Sequence, residues 1–155
     1  LDVRQNAKVY VEVVNELLQR SGWESDPSSR GEAARIAVLS ETFGRELPID
    51  EDQLAPNTRE TLALFRTLHQ VASQYSLMAV GAHVISMTSK PSDVLTVQWL
   101  WELTRDRTTE KYDPCIPIVP LLETIDDLTA GPEIFRGMLA IPTYRQQLRR
   151  KATGK

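Results

Sequence analysis

A few side chains in this sequence have the chemistry to hold a ligand. Glu123 directly follows the apolar run Ile116 to Leu122. A carboxylate there is a hard oxygen donor suited to Mg2+ or Mn2+. It is also a first-turn acid for a helix that starts behind it, stabilised by the positive end of the helix dipole. Arg4 follows the short apolar-acidic-apolar start Leu1 to Val3, and its planar fork matches a phosphate or a carboxylate. A surface or structural arginine is the plainer alternative. Asp126 and Asp127 are dipole partners, solvated acids or further metal donors.

The other reactive types point less far. Cys115 is the one cysteine, so no internal disulfide forms, which suits a reducing, cytoplasmic compartment. Lying before an apolar run, it reads as a buried, inert thiol. His69 falls inside a helical pattern and His83 begins a strand. Two distant histidines and one distant cysteine make no zinc site, so each imidazole reads as packed or solvent-facing. Gly-rich phosphate loops, Ser-His-Asp signatures and Cys-x-x-Cys pairs do not occur. Trp23, Trp99 and Trp101 lack the spacing of a stacking platform and read as core or interface residues.

These side chains must be positioned by elements that the pattern predicts. Tyr10, Val13, Val14, Leu17 and Leu18 share one face of a helix that stops near Gly22. Asp26-Pro27 reads as a cap and first-turn proline opening a second helix through Ala33, Ala34, Ile36 and Leu39. Pro48 and Asp50 to Asp52 read as a loop. Pro56-Asn57-Thr58 opens a helix carrying Leu62, Phe65, Leu68, Ala72 and Tyr75 on one face. Ala82 to Met87 and Ile116 to Leu122 are short apolar runs that read as buried strands. Between them Ser92 or Asp93 caps a helix from Val94 to Leu103, followed by a polar loop, Arg105 to Tyr112. Beyond Thr124 a helix starts, breaks at Gly131-Pro132 and resumes at Glu133, and Pro142 opens a last one.

Strands alternating with helices predict an α/β fold with a parallel sheet. Its working residues lie at the carboxyl ends of the strands, a rule that selects Arg4, Met87 to Ser89, and Glu123. At 155 residues the chain is too short for a complete (β/α)8 barrel of ~200 residues or more, so the expectation is a partial (β/α)8 TIM-type barrel with additional helices. Lys plus Arg number 18 and Asp plus Glu 21, a net charge of -3 that offers no basic excess for nucleic acid. The basic residues Arg145, Arg149, Arg150, Lys151 and Lys155 read as a solvated helix C-terminus. The longest nearly apolar stretch, Leu77 to Met87, is shorter than the ~20 residues of a membrane span.

Four stretches carry a resemblance. Leu-Asp-Val-Arg-Gln at Leu1 to Gln5 resembles a phosphoenolpyruvate carboxylase segment of that wording. His83 to Leu95 is similar to the family's Tyr-x-Ile-Ser-Met…Pro-Ser-Asp-Val-Leu strand and helix, and Pro117 to Leu128 to its Pro-Leu-Phe-Glu-Thr…Asp-Leu segment. Ile141 to Leu148 is similar to its Trp-Tyr-Arg helix. The matches keep family order across nearly the whole chain. Leu122 stands where the family often has Phe, and Pro142-Thr143-Tyr144 replaces Asp-Trp-Tyr. The connection Arg105 to Tyr112 looks longer and more polar than the family's usual one.

The resemblance implies a single internal segment, residues 1–155, of an enzyme that joins bicarbonate to phosphoenolpyruvate to give oxaloacetate and phosphate. It implies Glu123 as a ligand of Mg2+ or Mn2+, Arg4 as a phosphate-binding residue and Leu121 as an apolar wall of the substrate pocket. It implies a cytoplasmic, homotetrameric parent. The family's Thr-Ala-His-Pro-Thr, Gly-Tyr-Ser-Asp-Ser…Lys-Asp and Arg-Gly-Gly segments, with its catalytic His and Lys, have no counterpart in the sequence. No catalytic residue is therefore expected within it, and the chain alone is expected to be inactive. The alternatives are another Mg-dependent barrel enzyme acting on pyruvate enolates, or a non-catalytic helical interaction module in which Arg4 and Glu123 point apart.

Overall fold

The structure, a computed structural model, describes residues 2–108 and 116–153. Cys115 and residues 109–112, half of the Arg105 to Tyr112 loop, lie outside the described residues. Among the described residues three short strands and six α-helices alternate as β1 (Val3–Asn6), α1 (Ala7–Arg20), α2 (Glu32–Thr42), α3 (Pro56–Gln74), β2 (His83–Ser86), α4 (Pro91–Leu103), β3 (Ile118–Pro120), α5 (Ile125–Ala140) and α6 (Pro142–Thr153).

The two apolar runs do form parallel neighbours, in a sheet of order β1-β2-β3. Val3, His83 and Ile118 stand side by side, as do Arg4, Val84 and Val119. His83 and Ile85 are buried while Arg4 and Val119 are exposed, so helices cover one face of the sheet and leave the other open. Pro120 is tolerated because β3 is an edge strand, where a missing N–H leaves no ladder bond broken.

The partial (β/α)8 barrel is not what forms. The chain is mostly helical, and its three strands of three or four residues make an open sheet with no barrel, so the class is α/β and no more. Strand-helix alternation dictates parallel pairing, but closure depends on strand number, tilt and stagger, which no local pattern encodes. Between β1 and β2 the chain also runs through three helices rather than a single crossover helix.

Helix α4 occupies the centre. Every residue from Ser92 to Trp101 is buried, as befits a helix apolar all round. Trp99 and Trp101 are core residues, and the Trp99 indole N–H donates to Thr42 Oγ1 at 2.8 Å. Trp23 is half exposed under the Arg45 guanidinium. The α1 face Tyr10, Val13, Val14, Leu17 and Leu18 is buried throughout, as its spacing predicts. On α3 the same holds from Leu62 to Ala72, but Tyr75 caps the helix and is 76% exposed.

Two further expectations change. Asp26-Pro27 opens only a 3-10 turn, Pro27–Ser29, and α2 starts at Glu32. The Asp26 carboxylate accepts from the Ser28 hydroxyl and its carbonyl from the Ser29 hydroxyl, local bonds that compete with helix propagation. Helix α5 runs unbroken through Pro132. The bond lost there would have gone to the Leu128 carbonyl, and both residues are exposed, so water can replace it. Gly131 packs where a Cβ would lie 2.9 Å from Leu122 Cδ1, so this helix sits close against the end of β3. The exposed apolar residues Ile125, Leu128, Phe135 and Leu139 repeat at helical spacing along one stripe of α5.

His83 lies in the buried layer, 2.6 Å from the Tyr10 hydroxyl and stacked on Phe65. Burial pushes its imidazole down to about 4 and the Tyr10 hydroxyl up, so both are neutral at pH 7. The unfolded chain takes up a proton on His83 near pH 6.5 that the folded chain refuses until about pH 4. Folding stability should therefore be full above pH 6.5 and fall as pH drops through that window, by roughly 3 kcal/mol in all. Asp93, whose carboxyl is raised by burial, works in the opposite direction near the bottom of the window. Urea denaturation from pH 7 to 4 tests this: the His83→Asn variant should lose most of the slope.

Candidate functional site at the strand ends

Arg4, Met87 and Glu123 meet at the carboxyl side of the sheet. Arg4 is not at a strand end; it is the second residue of β1, on the open face beside Val84. Its long side chain covers the distance, and its Nη2 donates to Glu123 Oε1 at 2.9 Å. Glu123 stands between β3 and α5, and its Oε2 accepts the Met87 backbone N–H at 3.0 Å. One carboxylate thus connects all three strands.

The backbone beneath it is a short detour in the ladder. Leu121 N–H donates to the Ile85 carbonyl at 2.8 Å, and Thr88 N–H donates to the Leu121 carbonyl at 3.2 Å. Ser86 and Met87 lie between those two bonds. Met87 takes φ 55, in the left-handed region, at a cost of about 1 kcal/mol for a residue with a Cβ. Thr88, fully buried, returns its hydroxyl to the Ile85 carbonyl at 3.0 Å.

The loop after Met87 is fixed by the start of α4. Asp93 accepts the backbone N–H groups of Ser89 and Lys90, both at 3.0 Å. Glu32 takes the Ser92 N–H at 2.9 Å and the Ser92 hydroxyl at 2.7 Å. Arg35, buried beside these carboxylates, donates to Asn15 Oδ1 at 2.6 Å. Helix α4 begins at Pro91 with Lys90 as its N-cap, so neither Ser92 nor Asp93 is the N-cap residue; Asp93, third in the helix, accepts the Lys90 N–H, and the Ser92 hydroxyl donates to Glu32 instead.

The first-turn acids of α5 have separate duties. Asp127 and Thr124 form a capping box: the Thr124 hydroxyl accepts Asp127 N–H at 3.0 Å, and the Asp127 carboxylate accepts Thr124 N–H at 3.1 Å. Those bonds hold the Asp127 carboxyl below the usual range. Asp126 is exposed on α5 with no part in this box. Leu121 is half-buried, and the two-residue alternation carried on from β3 puts it on the side of Val119 and Arg4.

Among the described residues no group of three or more His, Cys, Asp or Glu side chains converges on a point. His69 is buried, stacked on Trp101, with Nε2 2.8 Å from the Trp101 carbonyl. A cleft of about 530 Å3 lies between the C-terminal ends of α3 and α4, lined by Arg66, His69 and Thr104. Because α4 runs back from the carboxyl end of β2, that cleft is at the opposite end of the sheet from Glu123.

What can this arrangement do? It sets a carboxylate and a guanidinium side by side on an open sheet face. No described helix is long and apolar enough to cross a membrane. Arg4 and Glu123 meet rather than diverge, contrary to what a purely helical interaction module requires. Their side chains are 63% and 33% exposed, and a pair so wetted contributes only ~0–1 kcal/mol, so either partner is free to exchange it for a ligand.

In open parallel α/β sheets ligands bind beyond the carboxyl ends of the strands, and the Arg4–Glu123 pair lies on that side of this sheet. The family model for phosphoenolpyruvate carboxylase matches residues 1–154, and the chain belongs to that family. It is 39% identical over 149 residues to a phosphoenolpyruvate carboxylase of Mycobacterium leprae, covering 94% of this chain and 16% of that protein. It is 33% identical over 159 residues to one from Rhodothermus marinus, covering 96% of this chain and 17% of the relative. One from Xanthomonas oryzae is 36% identical over 152 residues, with 96% and 16% covered. The chain thus spans about a sixth of the length of these curated relatives.

Position Met87 was selectable from sequence as a strand end, but its left-handed backbone was not, because neither Gly nor Asn marks it. A double-mutant cycle tests the strength of the Arg4–Glu123 pair. Arg4→Ala and Glu123→Ala should couple by less than about 1 kcal/mol in urea denaturation. The coupling should fade at about 1 M salt, where screening is nearly complete.

Proposed function

We propose that this chain supplies the metal-holding carboxylate and a phosphate-binding arginine of a phosphoenolpyruvate carboxylase. The enzyme would join bicarbonate to phosphoenolpyruvate and release oxaloacetate and phosphate. The observation that carries this reading is the contact between Arg4 and Glu123, two residues that each lie in a stretch resembling a family motif and within the span the family model matches.

The donor chemistry fits a divalent cation. Glu123 is a part-exposed carboxylate on an open face, and Mg2+ is commonly held by one or two carboxylates while keeping several waters and recruiting substrate oxygens. Bound there, Mg2+ or Mn2+ would neutralise the charge of the enolate oxygen as a Lewis acid. Glu123 would do the holding through the oxygen that now faces Arg4. Arg4, released from that pair, has its fork free for the substrate phosphate, where fixed positive charge suits phosphoryl transfer. Leu121, between β3 and Glu123, offers an apolar wall on the same side. Proton transfer has no candidate among these three residues, so the base and acid of the reaction come from elsewhere in the enzyme.

The test uses a full-length phosphoenolpyruvate carboxylase carrying this segment, assayed for oxaloacetate over a range of Mg2+ and phosphoenolpyruvate. Glu123→Gln keeps shape and removes charge, so the fold should survive while turnover drops roughly a hundredfold or more, beyond the usual effect of an outer-shell residue. Arg4→Lys should raise the KM for phosphoenolpyruvate roughly ten- to a hundredfold, the worth of one charge-assisted hydrogen bond. Wild-type turnover and metal dependence in Glu123→Gln would return Glu123 to the role of a helix-start acid.

A further inference from the structure

Met87 is where this structure departs from what its residue type prefers. A side chain with a Cβ is held at φ 55, at a position whose amide donates to the Glu123 carboxylate. Such a conformation persists only where the surroundings over-determine it. They do so here from both sides. Ile85 and Thr88 are pinned to Leu121, the residue after β3, and Ser89 and Lys90 are pinned to Asp93 at the start of α4. The extra residues between the pins have nowhere to go but outward, like a bulge that re-aims one group beside a site.

What is re-aimed is the backbone N–H. In an extended conformation Met87 would continue the alternation of β2, with its amide along the ladder. The left-handed turn at Met87 brings the Thr88 N–H round to the Leu121 carbonyl that the Met87 N–H would take in a regular ladder, and the Met87 N–H, displaced from the ladder, donates to Glu123 Oε2, 3.0 Å away. Arg4 meanwhile occupies Oε1. The two oxygens therefore have different partners: one a fixed main-chain donor, the other a weakly held, exposed side chain. The Met87 side chain is 48% exposed and makes no demand of its own for this backbone shape.

Resting on the reading of Glu123 as the metal ligand, we propose that Met87 is a positioning residue: its strained backbone fixes one Glu123 oxygen so that the other is presented to the cation. The role belongs to the main chain, so it is decided by which residues tolerate positive φ, and not by the thioether. Gly and Asn adopt this region readily, whereas β-branched residues do so worst.

The experiment is Mn2+ binding by electron paramagnetic resonance, without substrate, to a full-length phosphoenolpyruvate carboxylase carrying this segment. Met87→Gly and Met87→Asn should bind Mn2+ within about twofold of the parent. Met87→Val should weaken binding roughly tenfold or more, the range of outer-shell partners of metal ligands. If the Val variant does not fold, Met87→Ala against Met87→Asn makes the same comparison with less strain. Glu123→Gln, and Glu123→Gln with Met87→Val, complete the set. Equal weakening by Gly and Val would assign the effect to the side chain and overturn the proposal. So would unchanged binding in Val while Glu123→Gln loses the metal. Unchanged binding in Glu123→Gln would instead remove the metal-ligand reading itself. A Val effect that persists undiminished on the Glu123→Gln background would show general damage and also overturn the proposal.

Discussion

Parallel pairing of three very short strands is the constraint from which the rest follows. A parallel strand cannot return through a tight turn, so each connection must cross back over the sheet through helices. This puts all three carboxyl ends on one side and stacks the helices on one face. Strands of three or four residues contribute few ladder bonds of their own. Their register is secured by what lies around them: the buried layer of His83 and Ile85 under α1 and α3, and α4 buried along almost its whole length. A shift of β2 by one residue would turn His83 and Ile85 to the open face and bury Val84 and Ser86 in their place.

Polar bonds finish what the apolar layer begins. Glu32, Asp93 and the buried Arg35 tie α2, α4 and α1 together at the point where the chain leaves β2. Burial makes such charges costly when unpaired, so each is matched by backbone N–H groups or by another side chain. That rigid corner lets Met87 sit in an unfavourable backbone region and lets Glu123 receive a donor from β2 as well as one from β1. The pair Arg4–Glu123 is the opposite case: wet, weak and replaceable. Glu123 thus has a fixed main-chain donor on one carboxylate oxygen and an exposed, replaceable partner on the other.

Much of this was legible in the sequence. The helix faces of α1 and α3, both apolar runs of the sheet, and the strand-end positions of Met87 and Glu123 all follow from periodicity and the parallel α/β rule. Other features were not. A partial (β/α)8 barrel is the expectation from alternation, and an open three-stranded sheet forms instead, because local pattern fixes pairing direction but not strand number, tilt or stagger. Pro132 read as a helix break, yet the surrounding helix tolerates it where the lost bond faces water. Arg4 read as a strand end and is a strand interior whose side chain reaches the end. The left-handed Met87 was invisible because its cause lies in two neighbouring elements, β3 and α4, and not in its own residue type.

The reading of Glu123 and Arg4 is most directly tested by the position of the metal itself. Crystals of a full-length phosphoenolpyruvate carboxylase carrying this segment, soaked with Mn2+ and measured at its absorption edge, give an anomalous map that locates the ion without ambiguity. A peak about 2.1 Å from a Glu123 oxygen is predicted, near the bond length of Mg2+ to oxygen. Arg4 should then be turned away from Glu123 toward the substrate phosphate site. A metal peak elsewhere, with Arg4 and Glu123 still paired, would contradict it.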